Sequence, residues 1–268
     1  MKPVLKIFSF LVVLILSIIL VQKTVPLITG NAQMKVLAGE ALFACLVFFW
    51  FVIFIKFWDR EALKDSVLFP KSNTVPFLFW GLILGFCLIL ITYVISRVTG
   101  ILSVEYHSNE GMRLAGYIII SIVATAFTAF WEELAFRGFI LKNLIAVVGR
   151  HRACILVALI FGCLHLLSPV KSVNIVISTV FSGLLLNYAF MYSDNLYLPV
   201  GIHFAWNFFL GKVFYSRHLF EVEYLNKLWA GDKNPEEGII AITVTAAGLL
   251  IILLFRKKLT TMGSVSEI

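Results

Sequence analysis

Charge is what this chain is short of. Only 14% of its 268 residues are Asp, Glu, Lys or Arg, while 60% are hydrophobic and the mean hydropathy is +0.97. A soluble domain carries about a quarter charged residues, so a soluble globular fold is excluded and an integral membrane protein is indicated. Cysteine is also scarce. Cys45, Cys87, Cys154 and Cys163 all lie in apolar stretches without Cys-x-x-Cys spacing, which reads as packing rather than disulfide or metal chemistry. Low-complexity segments are missing, and no internal repeat suggests duplicated transporter halves. Lys and Arg outnumber Asp and Glu by 22 to 15. They are dispersed between apolar stretches and form no patch with interleaved aromatics, so nucleic acid is not the partner. A net charge of +7 suits loops facing anionic lipid.

A helix crosses the bilayer in about 20 apolar residues. By that measure the sequence predicts an all-α, polytopic chain of about eight spans, at 4–21, 36–57, 75–98, 114–130, 153–167, 173–192, 196–213 and 238–255. Connections are short and edged by charge, Pro or Gly, as in Asp59-Arg60-Glu61 and Phe69-Pro70-Lys71, so residues 1–268 read as one membrane domain. Lys2 and Lys6 before the first apolar stretch also suit a signal peptide. The stretch exceeds a usual signal core and no small-x-small site follows Leu20-Val21-Gln22-Lys23, which favours a retained helix. With the amino terminus inside, the clusters Lys56/Arg60/Lys64/Lys71, Lys142/Arg150/Arg152 and Arg256-Lys257-Lys258 fall on the cytoplasmic side. Leaving out Arg137, twelve basic residues are inside and nine outside, which places both termini in the cytoplasm.

Against this background a few polar residues stand out, because an ionisable group at membrane depth costs at least a few kcal/mol unless partnered or hydrated. The first are Glu132 and Glu133 in Phe130-Trp131-Glu132-Glu133-Leu134-Ala135-Phe136-Arg137-Gly138. Residues four apart share a helix face, so Glu133 pairs with Arg137. Glu132 is rotated about 100° away with no local cation, and is the more reactive of the two. The plain alternative is a pair of solvated charges at a helix end. His165 follows in Phe161-Gly162-Cys163-Leu164-His165, where an interfacial packing role is the competing reading. His203 and Asn207, again four apart, put an imidazole and a carboxamide on one face of a helix that Pro199 starts. Helix-to-helix hydrogen bonding is their alternative role. Gly149-Arg150-His151-Arg152 reads as a turn. Counted from Arg150, Glu132 lies eighteen residues back and His165 fifteen on, about 27 and 23 Å along antiparallel helices, so the two can share a depth. Gly81-x-x-x-Gly85 suits close packing on another helix, within the chain or across a dimer.

Glu132-Glu133-x-x-x-Arg137, Phe161-x-x-x-His165 and His203-x-x-x-Asn207 together resemble the motifs of the CAAX-prenyl-protease and bacteriocin-processing (CPBP, or Abi) family of intramembrane proteases, in the family's order and without departure. Phe136 and Gly138, and the lead-in Asn195-Leu196-Tyr197-Leu198-Pro199, are similar as well. The likeness covers a core at 114–213. It implies an intramembrane catalytic cavity and peptide-bond hydrolysis. Glu132 and His165 would activate water, His203 and Asn207 would bind the oxyanion, and Glu133 with Arg137 would give structural support. The family is often labelled metalloprotease, and a zinc version would use His165, His203 and Glu132 with water as the fourth ligand. No His-Glu-x-x-His helix is present and each ligand sits on a separate helix, so metal-free chemistry without a cofactor is the expectation. The resemblance offers two substrates, a prenylated protein cut after its modified cysteine or a membrane-associated peptide such as a bacteriocin leader. It also leaves a non-catalytic alternative in bacteriocin self-immunity or membrane regulation.

Overall fold

The computed structural model describes residues 2–28, 30–60, 62–70, 72–106, 111–167, 172–216, 219–232 and 234–264. Glu61 and Lys71, two of the flanking charges, lie outside the described residues. The chain is an all-α, multi-pass membrane protein, with helices α1 (Lys2–Thr24), α2 (Ala32–Ile53), α3 (Thr74–Val98), α4 (Gly111–Glu133), α5 (Lys142–Val148), α6 (Arg150–Leu164), α7 (Val173–Ser193), α8 (Tyr197–Phe208), α9 (Lys227–Ala230), α10 (Ile239–Leu254) and α11 (Arg256–Ser264). Many large apolar side chains point outward, Val75 at 75% and Phe57 at 74% exposure among them, which only lipid makes tolerable.

Among the described residues five helical stretches are long and apolar enough to cross, Pro3–Leu27, Ala32–Asp59, Thr74–Val98, Leu114–Val148 and Val173–Ser193. A sixth arises if α10 and α11, bent by 58°, form one broken span. The count of eight is thus not confirmed, five or six being what length and composition support among the described residues. The spans expected at 153–167 and 196–213 fall on α6, which a 3-10 turn continues to Leu167, and on α8, which a π-helical stretch continues to Phe214. The fourth span runs well past Phe130, through the glutamate motif to Val148. The turn at 149–152 shrinks to one residue: Gly149 closes α5 with φ +81°, and Arg150 already begins α6.

The chain divides into two compact units, Met1–Lys71 with Gly111–Ala153, and Ser72–Glu110 with Cys154–Ile268. In the first, α2 packs on α1 and α4, and α1 on α5. Lys6 is buried, ion-paired with Asp59 and donating to Asn143 Oδ1 at 2.5 Å, with its ammonium 4.7 Å above the Phe139 ring. These contacts tie α1 to the rest of the unit. Phe10, Phe54 and Phe139 stack around this network.

In the second unit α3 packs most intimately on α8, with α7 and α10 beside them. Glycines set that closeness. A Cβ on Gly81 would lie 3.0 Å from Ile202 N, one on Gly85 3.0 Å from Ala205 Cβ, and one on Gly201 2.9 Å from Leu82 N. Gly81-x-x-x-Gly85 therefore faces α8 within the chain. The segment between the spans expected at 196–213 and 238–255 includes a strand. β2 (Phe220–Tyr224) pairs antiparallel with β1 (Leu102–Tyr106), Val104 opposite Val222, and Tyr215 stacks on Tyr224 at 6.5 Å. Burial raises the Tyr215 phenol above its ordinary pKa, reinforced by Tyr224 and Tyr93, while Ser96 pulls the other way.

Replacing Gly85 with Leu forces α3 off α8 and is expected to destabilise the protein by about 1–3 kcal/mol, the usual cost of overpacking. Gly116→Ala, where a Cβ meets nothing within 4 Å, serves as the control. Thermal unfolding in detergent micelles reads the difference, and equal midpoints for both variants would refute the packing argument.

Candidate active site

The first unit carries the glutamate motif. α4 ends at Glu133 and continues without a break as a π-helical stretch, Leu134–Leu141, every residue of which is buried. Such wider turns cluster at functional positions. They also invalidate a count at 1.5 Å per residue across 134–141. Glu133 and Arg137 are both 0% exposed, and Arg137 donates to Glu133 Oε1 at 2.9 Å. The expected pair is present, and it is no solvated helix end. Gly138 makes room beside it, since a Cβ there would be 3.3 Å from Val67 and 3.7 Å from Phe51. Glu132 is partly exposed, on a different face.

One residue of this unit escaped the sequence reading. The Trp131 indole N–H donates to Glu40 Oε2 on α2 at 3.0 Å, and Phe43 meets the Trp131 ring edge-on at 4.3 Å. A carboxylate of α2 thus fixes the residue that precedes Glu132. Its signal was available, because Glu40 is the one acidic residue in a 22-residue, largely apolar helix.

The second unit carries the histidines. His165 sits just past α6, with Nδ1 2.9 Å from the Phe161 carbonyl oxygen and its ring edge-on to Phe161 at 4.9 Å. A carbonyl only accepts, so Nδ1 must hold the hydrogen and Nε2 is the basic nitrogen. Phe161 of the Phe-x-x-x-His pattern therefore sets both tautomer and ring direction. Asn187, fully buried on α7 and unremarked in the sequence, donates to the Cys154 carbonyl on α6 at 2.8 Å and ties the two helices together.

His203 and Asn207 lie on α8, the first buried and the second partly exposed, one turn apart as expected. Pro199 is in the opening turn of that helix. Asn195 anchors its start: Oδ1 accepts the Tyr197 N–H at 2.9 Å, and Nδ2 donates to Asn73 Oδ1 at 3.1 Å. Asn73 in turn donates to the Met262 carbonyl on α11 at 2.7 Å. Between the two site residues, the Trp206 indole donates to Glu236 at 2.8 Å. α8 is pinned at its start, its middle and along its glycine face.

The donor set weighed for zinc is divided, with Glu132 in the first unit and His165 and His203 in the second. Within neither unit, among the described residues, do three His, Cys, Asp or Glu side chains gather as ligands of one ion.

All three motifs lie inside the stretch that a known family recognises. Residues 114–209 match the family of Rce1-like type II CAAX prenyl endopeptidases. The match covers about a third of the chain, and over that stretch it agrees with the resemblance. No curated protein matches the chain.

Substituting Arg137 with Met strands the Glu133 carboxylate in an apolar interior, with an expected loss of about 3–5 kcal/mol. The double variant Glu133→Leu/Arg137→Met removes both charges and should recover part of that loss. Chemical denaturation in micelles compares the two, and a double variant no more stable than the single would contradict the assignment of this pair as mutual partners.

Proposed function

We propose that the chain is an intramembrane endopeptidase that hydrolyses a peptide bond in a membrane-associated or prenylated substrate. The observation that supports this best is the family match, whose span includes all three motifs intact. Glu132 is the general base. It takes a proton from water as the oxygen attacks the substrate carbonyl carbon. His165 shares that proton or orients the water through Nε2, the nitrogen its bond to Phe161 leaves basic. His203 N–H and Asn207 NH₂ donate to the oxyanion of the tetrahedral intermediate. The proton then passes to the departing amine, the C–N bond breaks, and a new carboxylate and amine leave.

Glu133 and Arg137 are support in this scheme. Their ion pair neutralises one carboxylate and keeps it from competing for the water's proton. The proposal runs without a metal, since Glu132 and His165 suffice to activate water. Were zinc to take part, His165, His203 and Glu132 would hold it, and it would supply Lewis-acid activation of the same water. The partners are membrane lipid and a peptide or prenylated protein. Both termini are assigned to the cytoplasm on the bias of basic residues.

Purified protein, offered a prenylated carboxyl-terminal peptide and a leader-type peptide, is expected to cleave one of them. Glu132→Ala should abolish cleavage, and Asn207→Ala should slow it by about 10²- to 10³-fold, with thermal unfolding of both variants unchanged. Full cleavage by Glu132→Ala would overturn the assignment. If Glu132→Ala, His165→Ala and His203→Ala all preserve the cellular phenotype, the role is non-catalytic, as in self-immunity or regulation.

Metal dependence is tested separately, by exhaustive chelation of the purified protein followed by elemental analysis. Activity is expected to survive with no zinc present. Loss of activity that zinc restores would replace the metal-free scheme.

A further inference from the structure

The second unit contains a feature that peptide hydrolysis does not use. Where α10 ends, Phe255 breaks the helix and α11 departs at 58°. α11 has two faces. Leu259, Met262 and Gly263 turn inward, with Gly263 against Ser193 and the Met262 carbonyl held by Asn73. Arg256, Lys257, Lys258, Thr260, Thr261 and Ser264 are exposed. A short two-faced helix with its cations outward suits the plane of a membrane surface.

Beneath it, α3, α10 and α11 enclose a cavity of about 320 Å³. Its walls are almost wholly apolar, Trp80 and Cys87 from α3, Ile251 and Ile252 from α10 and Phe255 at the break among them, and Lys258 is the one charged residue that lines it. Cys87 lies thirteen residues into α3, about 20 Å along the helix from its start. The cavity therefore runs from the level of the basic turn toward the middle of the bilayer. Hydrocarbon below and a cation at the lip match one lipid chain and its phosphate.

We propose that this slot holds an anionic phospholipid, one acyl chain between α3 and α10 and the headgroup on Lys258, with Arg256 and Lys257 adding to the attraction. Neutral and anionic lipids fill apolar slots alike, so charge is the discriminating term, roughly fivefold in binding for each basic residue near the surface. The site is independent of the proteolytic reading and stands or falls without it.

Cys87 reports occupancy directly. It is exposed, as are Cys45 and Cys163, whereas Cys154 is buried. The full chain is placed in nanodiscs of phosphatidylcholine alone or with phosphatidylglycerol, and labelled with a lipid-soluble maleimide. Phosphatidylglycerol is expected to slow labelling of Cys87 by about fivefold relative to Cys45 and Cys163. Lys258→Gln should abolish that protection and leave the rate in phosphatidylcholine unchanged. Equal Cys87 rates in the two discs, or protection that persists in Lys258→Gln, would overturn the proposal. Protection by inorganic phosphate in phosphatidylcholine discs would also overturn it, by showing that a free anion rather than a lipid is bound.

Discussion

Inside hydrocarbon a polar group has no water to turn to, so each must be satisfied by the protein itself. That constraint organises this structure more than any other. The simplest cases are hydroxyls. Ser17, Thr92, Ser96, Thr179, Ser193 and Thr245 each donate to the carbonyl four residues back on their own helix, at 2.7–3.0 Å. Those bonds close within one helix and need no second one. Groups that cannot close on themselves do the tertiary work. Lys6 draws α1 to Asp59 and Asn143, Trp131 draws α4 to Glu40, and Asn187 draws α7 to the backbone of α6. Each bond is worth modest energy, but leaving its donor unpaired in lipid is costly, so each specifies one arrangement.

Apolar packing supplies the rest by a different route. Lipid tails are as apolar as Leu, so burying a Leu between two membrane helices gains little, and close van der Waals contact must hold them together instead. The pairing of α3 with α8 shows this. Gly81, Gly85 and Gly201 bring backbone against backbone, and the helix so held is the one bearing His203 and Asn207. The glycine face, Asn195 at the start and Trp206 in the middle together anchor that helix.

What the sequence disclosed follows from the range of each interaction. The Glu133–Arg137 pair, the shared face of His203 and Asn207, and Gly149 as a helix end all depend on spacings of four residues or fewer, and all are found. The Gly81-x-x-x-Gly85 face was legible, but its partner was left open, because contact with α8 joins residues more than a hundred positions apart. Glu40 and Asn187 went unread for the same reason, although both are polar residues in apolar helices. Hydropathy measures how apolar a stretch is and not where a helix ends or changes type, so the run past Phe130 to Val148 and the π-helical end of α8 went unread. The π-helical run at 134–141 has no composition signal, and the strand pairing of 102–106 with 220–224 joins segments that alternate too briefly to be recognised.

These observations bear on the two adjacent glutamates, which composition alone makes equivalent. A close ion pair ties a carboxylate to one partner and one position. Glu133 is locked in that way, fully buried with its guanidinium one turn on. Glu132 lies off that face and keeps partial exposure, and the residue before it is held by a carboxylate from another helix. The backbone around Glu132 is therefore fixed on both sides, by Trp131 with Glu40 and by Glu133 with Arg137, while its own side chain stays accessible. The ion pair of Glu133 with Arg137 is therefore one of the two contacts that hold the backbone beside Glu132 in place, the other being the bond from Trp131 to Glu40.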